Sequence, residues 1–253
     1  RKLELSERLA TLGKVASGIA HEINNPLSII LNRIECMEAD AAQSTIPDEV
    51  ARDLVTIRSQ AERISRVTRS ILTFSRGTVS MLKPLDLNCV ARTCVAMAGE
   101  RVAALSVRID AELAPELPPV MGDRDRLETV LLNVLNNAID AVIACRDHGV
   151  VMVRTARMQF SGDEWIRISV SDNGPGVPAG IVDRIFDPFF TTKPAGQGTG
   201  LGLFLSYGIV SDHRGRIEVR NDTVGAVFDV YLPAVGLGES LREGAPWGLQ
   251  EKS

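Results

Sequence analysis

The sequence predicts an α-helical hairpin that pairs into a dimeric four-helix bundle, followed by an α/β two-layer sandwich with a mixed sheet. Over the first 76 residues apolar side chains recur mostly at alternating steps of four and three, the seam of packed helices. Beyond a glycine- and proline-bearing break the pattern changes to short alternating runs interleaved with helical ones, as in a sheet under a helical layer. The 253 residues suffice for two modest domains. Apolar residues at 45% supply their cores, which must be aliphatic because aromatics are only 4%.

The first helix carries Leu5, Leu9, Leu12, Ala16, Ile19, Ile23, Leu27, Ile30, Ile34 and Met37 on its seam. Residues 43–49 interrupt it, and Pro47 suits a helix start. The second repeats the pattern through Val50, Leu54, Ile57, Ala61, Ile64, Thr68 and Ile71. One hairpin cannot cover both seams, so a homodimer through residues 1–76 is expected. Residues 77–84 read as a linker. Leu87–Ala98 then reads as a helix and Ser106–Asp110 as a strand. Asp123 can cap a long helix running to about Cys145. Val150–Met158 and Trp165–Asp172 read as strands, and 178–185 as a short helix. Leu201–His213 reads as a helix, and Arg216–Arg220 with Ala226–Leu232 as a hairpin. This second domain covers 85–233. The polar, glycine-rich tail 234–253 is expected to be disordered.

Net charge is −4, which argues against a nucleic-acid surface. The cysteines (Cys36, Cys89, Cys94, Cys145) show no metal-ligand spacing and read as reduced thiols of a cytoplasmic protein. No apolar run approaches the ~18 residues of a membrane helix. The chain begins at Arg1, so it is expected to be a fragment of a parent with upstream parts, a membrane anchor included among the open alternatives.

Several residues carry chemistry. His21 lies opposite the midpoint of Ile19 and Ile23 and so faces water. Its imidazole keeps one nitrogen free to attack near neutral pH. Glu22 can bond the other ring nitrogen and raise that nucleophilicity. Asn25, four residues on, shares the face of His21. Pro26 removes a helical hydrogen bond, so a kink is expected beside the nucleophile. Asn133 and Asn137 share a face of an otherwise apolar helix, and amide oxygens are hard ligands suited to Mg²⁺. Asp172 ends a strand just before Asn173-Gly174-Pro175-Gly176, where a buried carboxylate can accept the adenine amino hydrogen and glycines let backbone approach the base. Gly198-Thr199-Gly200-Leu201-Gly202 leads into a helix whose start can bind phosphate. Before it stand Phe186-Asp187-Pro188-Phe189-Phe190-Thr191-Thr192-Lys193, read as a lid anchored by aromatics with Lys193 near the phosphates.

Each glycine segment alone is a weak signal; the ordered set is not. The chain resembles the catalytic core of a two-component sensor histidine kinase over about residues 5–233. The H box is Ala20–Leu27, the N box Asn133–Ala138, the first glycine box Asp172–Gly176, the F box Phe186–Phe190 and the second glycine box Gly198–Gly202. The resemblance implies a dimerisation and histidine-phosphotransfer domain over 1–76 and an ATP-binding domain of the gyrase and histidine-kinase type over 85–233. His21 would be the phosphoacceptor and Glu22 its general base. Asn137, with Asn133, would hold Mg²⁺, and Asp172 would bind adenine. Gly174, Gly176, Gly198, Gly200 and Gly202, with Phe190, Thr191, Thr192, Lys193, Thr199 and Leu201, would shape the pocket. The implied activity is a transferase reaction: ATP-dependent autophosphorylation of His21, then transfer to an aspartate of a response regulator receiver domain. In relatives with Asn at the Asn25 position, that residue positions the water that dephosphorylates the regulator, which would make this chain bifunctional. Many relatives carry a basic residue just after the N box; here Asp140 and Ala141 stand there, and Lys193 is expected to supply the charge instead. The short span from Lys193 to Gly198 resembles the nitrogen-regulatory subgroup. Any sensor domain would lie before Arg1.

Overall fold

The computed structural model describes residues 23, 27–37, 49–58, 61, 64, 82–103, 105–145, 148–194 and 198–235. His21, Glu22, Asn25 and Pro26 lie outside the described residues, as do most of the linker and the tail from 236.

Residues 27–37 and 49–58 are helical (α1 and α2). Their seams divide cleanly. Leu27, Ile34, Leu54 and Ala61 are buried, whereas Ile23, Ile30, Met37, Val50, Ile57 and Ile64 are exposed. Each exposed set steps by seven residues, so alternate seam positions are covered and the others form two stripes open to solvent.

The α/β part begins at β1 (Lys83–Leu85), which pairs antiparallel with β3 (Val120–Gly122). Lys83 and Pro84, read from sequence as linker, therefore belong to a strand. Helix α3 (Leu87–Val102) is capped by Asp86, whose carboxylate accepts from the Asn88 amide at 2.8 Å. It outruns the expected end at Ala98 despite Gly99, because Ala98 and Val102 are buried in the core. Strand β2 (Val107–Leu113) follows. Helix α4 (Arg124–Ile143) starts at the expected cap, Asp123, which accepts from the Arg126 amide. Strands β4 (Gly149–Phe160) and β5 (Asp163–Asp172), a 3₁₀ turn (Ala179–Arg184), helix α5 (Gly202–Asp212), and strands β6 (Arg216–Asn221) and β7 (Ala226–Pro233) complete the order.

The main sheet is mixed, in the order β2-β4-β5-β7-β6, with β2 parallel to β4 and the other pairs antiparallel. Helices α3, α4 and α5 bury their apolar faces against one side of it, giving the two-layer sandwich. Leu135, Ile139 and Ile166 are fully buried there. Each such side chain contributes roughly 1.5–3 kcal/mol. Among the described residues the core is almost wholly aliphatic, as the composition requires.

Candidate functional site

One helix and three loops meet at the C-terminal half of α4. Asn133, Asn136, Asn137 and Asp140 sit along it, half-buried among fully buried Leu135 and Ile139. The Asn133 amide donates to the Gly202 carbonyl at 3.2 Å and to Ser206 Oγ at 3.4 Å, tying it to the start of α5. Asn136 Oδ1 accepts from Arg101 of α3. Asn137 Oδ1 accepts from Lys193 Nζ at 3.3 Å. Asp140 bonds two cations, Lys193 at 2.5 Å and Arg101 at 2.6 Å. Its burial would raise the carboxyl pKa, but the hydrogen bonds from Lys193 and Arg101 outweigh that and hold it below the usual value.

The Asp172 loop closes one end. Asp172 is buried, and its Oδ1 accepts from the Gly174 amide at 2.8 Å and the Ala226 amide at 3.3 Å. Both bonds fall on one oxygen; Oδ2 makes none among the described residues. Burial pushes the carboxyl up, and the two amides offset only part of that. Gly174 packs against Ala141 of α4, where a Cβ would lie 3.3 Å from the alanine methyl. Gly225, in the β6–β7 turn at φ +96°, meets Asp172 so closely that a Cβ would lie 2.0 Å from its carbonyl oxygen. Gly176, at φ +75°, faces Asn221, whose side chain bridges the Val177 amide and carbonyl. Asn173 turns away from the cleft: its side chain accepts from the Val150 amide and donates to the His148 carbonyl.

The aromatic segment and the second glycine segment fold onto each other. A Cβ on Gly198 would fall 2.3 Å from Thr191 Oγ1, and one on Gly200 (φ +65°) 2.3 Å from the Phe189 carbonyl carbon. Thr191 Oγ1 accepts from the Lys193 amide, and Thr199 Oγ1 from the Leu201 amide. Phe186 packs on Tyr207 of α5 at 5.8 Å, and Phe190 lies under Arg184 at 4.6 Å. Phe189 points outward at 63% exposure. Thr192 is exposed.

The structure thus brings Asn133, Asn137, Lys193, Gly202 and the Asp172–Gly174 loop together along α4, with Thr191, Gly198 and Gly200 beside Lys193 and Phe189, while Gly176 lies against Asn221 and Gly225. Amide and carboxylate oxygens facing a side-chain cation are hard donors of the kind Mg²⁺ takes. Sequence reasoning missed Arg101, whose role needs the packing of α3 on α4. It also missed His213, buried at the end of α5. There Nε2 accepts from the Asp123 amide at 3.0 Å and Nδ1 faces the Ile209 carbonyl at 2.7 Å. Burial is the main cause of its lowered pKa.

Residues 122–236 match the family described as "Histidine kinase-, DNA gyrase B-, and HSP90-like ATPase", and residues 11–79 match the "His Kinase A (phospho-acceptor) domain". The fold and cleft therefore define the class of ATPases shared by those three groups. The catalytic domain of the histidine kinase ThkA is 32% identical with a TM-score of 0.54, and the match covers 60% of this chain and 95% of that one. The chain belongs to the histidine kinase family. ThkA in complex with the response regulator protein TrrA matches over 92% of this chain and 65% of that chain, at 28% identity and TM-score 0.64. Among curated relatives, the signal transduction histidine-protein kinase AtoS of Escherichia coli K12 is 36% identical over 237 residues, 92% of this chain and 36% of its own. The sensor histidine kinase ZraS of the same strain is 34% identical, covering 92% and 48%. The chain spans half or less of the length of these two relatives. No described helix is long and apolar enough to cross a membrane.

Proposed function

We propose that this chain is the core of a protein-histidine kinase that transfers the γ-phosphoryl group of ATP to His21 and then to an aspartate of a response regulator. The observation that carries the reading is the convergence of three loops on α4. It sets an unused carboxylate oxygen of Asp172 at one end and the Asn137 amide with Lys193 at the other. Asp172 Oδ2 accepts the adenine amino hydrogen. Gly198, Gly200 and Gly202 let backbone amides approach phosphates. Asn137, with Asn133, would hold the nucleotide's Mg²⁺. That ion would supply charge neutralisation, a main need of phosphoryl transfer. Glu22 orients the His21 ring and takes its proton; Asn25 serves dephosphorylation of the regulator. The separate phospho-acceptor and ATPase family matches support dividing these roles between 1–76 and 85–233.

The exposed stripes Ile23, Ile30, Met37 and Val50, Ile57, Ile64 support a homodimer, since a second hairpin would cover them. The relative seen with a response regulator supports a receiver domain as the acceptor. A sensor domain upstream, a cytoplasmic site of action and the nitrogen-regulatory subgroup complete the reading; the last rests on the short span from Lys193 to Gly198.

Incubation with γ-labelled ATP tests it. The chain acquires acid-labile, base-stable label, and His21→Gln abolishes it. Release of free phosphate with no labelled protein would mark a clamp ATPase, and neither event a nucleotide-binding scaffold.

A further inference from the structure

We propose that Asp140 is a second protein ligand, beside Asn137, for the divalent cation that accompanies the nucleotide, and that the Lys193 ammonium occupies this seat until the metal replaces it. The proposal rests on the assignment of Asn137 as a metal ligand and extends it to a residue not so far assigned there.

The geometry points to a seat rather than a plain ion pair. Asn137 and Asp140 are three residues apart on α4 and so share a face. Their oxygens converge on one cation: Lys193 Nζ lies 3.3 Å from Asn137 Oδ1 and 2.5 Å from Asp140 Oδ2. An amide oxygen and a carboxylate oxygen are the donors that a hard divalent ion takes, at about 2.0–2.1 Å for Mg²⁺. The carboxylate is also held for the task. Its other oxygen, Oδ1, is bonded by Arg101 at 2.6 Å, and Arg101 in turn bonds Asn136. Such an outer partner orients a ligating carboxylate in metal sites. The Asp140 side chain is 31% exposed, so incoming solvated metal can reach it.

The exchange also resolves a charge problem. A carboxylate beside a polyphosphate is repulsive unless a cation stands between them. The metal supplies that cation. Lys193, displaced from Asp140, carries its charge to the phosphates. The positive charge near the phosphates then comes from the loop beside α4, and the acidic residue on the helix gains a use.

The test uses the full chain, with Mn²⁺ as the metal and ADP as the nucleotide. Free Mn²⁺ is counted by electron paramagnetic resonance at saturating ADP, and ADP affinity is measured separately in EDTA. Asp140→Asn weakens Mn²⁺ binding about tenfold or more, while ADP affinity in EDTA stays within about twofold. Asp140→Glu recovers part of the metal affinity. Lys193→Met tightens Mn²⁺ binding, because the competing ammonium is gone. Unchanged Mn²⁺ affinity in Asp140→Asn, with ADP affinity in EDTA falling as far as it does in Lys193→Met, would show that Asp140 only anchors the lysine. That result overturns the proposal. Asn137→Ala separates the underlying assignment: if it leaves Mn²⁺ binding unchanged, Asn137 is no ligand and both readings fall. If it weakens binding while Asp140→Asn does not, only the role of Asp140 falls.

Discussion

The two ends of the candidate cleft are held by different means. At the Asp172 end the bonds come from backbone: the amides of Gly174 and Ala226 fix one carboxylate oxygen, and Gly225 presses on the same residue. At the Asp140 end they come from side chains alone, through Lys193, Arg101, Asn136 and Asn137. Asp172 and Ala226 belong to β5 and β7 and cannot shift without breaking that ladder. Long cationic side chains can exchange partners at little cost. The Asp172 end is therefore preformed, and the Asp140 end is built to rearrange.

The comparison breaks first at Gly225. Its positive φ and the 2.0 Å approach of a would-be Cβ to the Asp172 carbonyl leave no room for a side chain. Gly225→Ala is expected to cost the α/β domain about 3 kcal/mol or more, a drop of roughly 6–12 °C in Tm, read by thermal denaturation. A neutral result would mean that the Asp172 end yields after all.

Asp172→Asn comes next. Asparagine keeps an acceptor for the Gly174 amide but, in the proposed adenine site, sets an amide NH₂ toward the adenine amino group. ATP affinity should fall about tenfold to a hundredfold, or ~1.4–2.8 kcal/mol, with little change in Tm. Equilibrium dialysis of labelled ATP checks it. A stability loss as large as that of Gly225→Ala would mean that Asp172 is structural first.

A smaller effect falls outside the cleft, at His213 beside the N-terminal cap of α4. Its folded pKa lies below the ordinary value of 6.5 because burial disfavours the imidazolium. In that window the unfolded chain binds more protons, so stability rises with pH. The contribution is complete above about 6.5 and is lost as pH falls from there toward the folded value, with a slope of at most about 1.4 kcal/mol per pH unit. Denaturant titrations from pH 5 to 8 show the slope, and His213→Gln flattens it. An unchanged profile in that variant would move the titration elsewhere.

The smallest effect is a control. Arg154 and Glu112 form an exposed pair at 2.7 Å across β4 and β2 and bond none of the cleft residues. Arg154→Ala should leave Tm unchanged at both low and high salt. A clear loss would mean that surface ion pairs hold this domain, and the contrast between the two ends would fade.

Much of this was legible in the sequence. The cap at Asp123, the long α4 and the strand ending at Asp172 follow from local chemistry, which acts over a few residues. The seams of α1 and α2 were legible as well, and only the structure shows which alternate positions one chain covers. Strands β1 and β3 were not legible, because three residues are too few for a period and each needs a partner some 35 residues away. The Lys193–Asp140 pair was not legible: the sequence placed Lys193 near the phosphates, and only the packing of its loop on α4 sets it against Asp140. Nor was Arg101, since a lone arginine near a helix end carries no sign of where its helix will pack.

Helix α5 runs antiparallel to α4 and grips it twice, through Gly202 and Ser206 at Asn133 and through His213 at the Asp123 cap. Two rungs on one ladder forbid sliding and leave only motion as a single plank. A designer grafting this cleft onto another scaffold must therefore transplant both helices as one piece, since either moved alone would carry its amides to the wrong height.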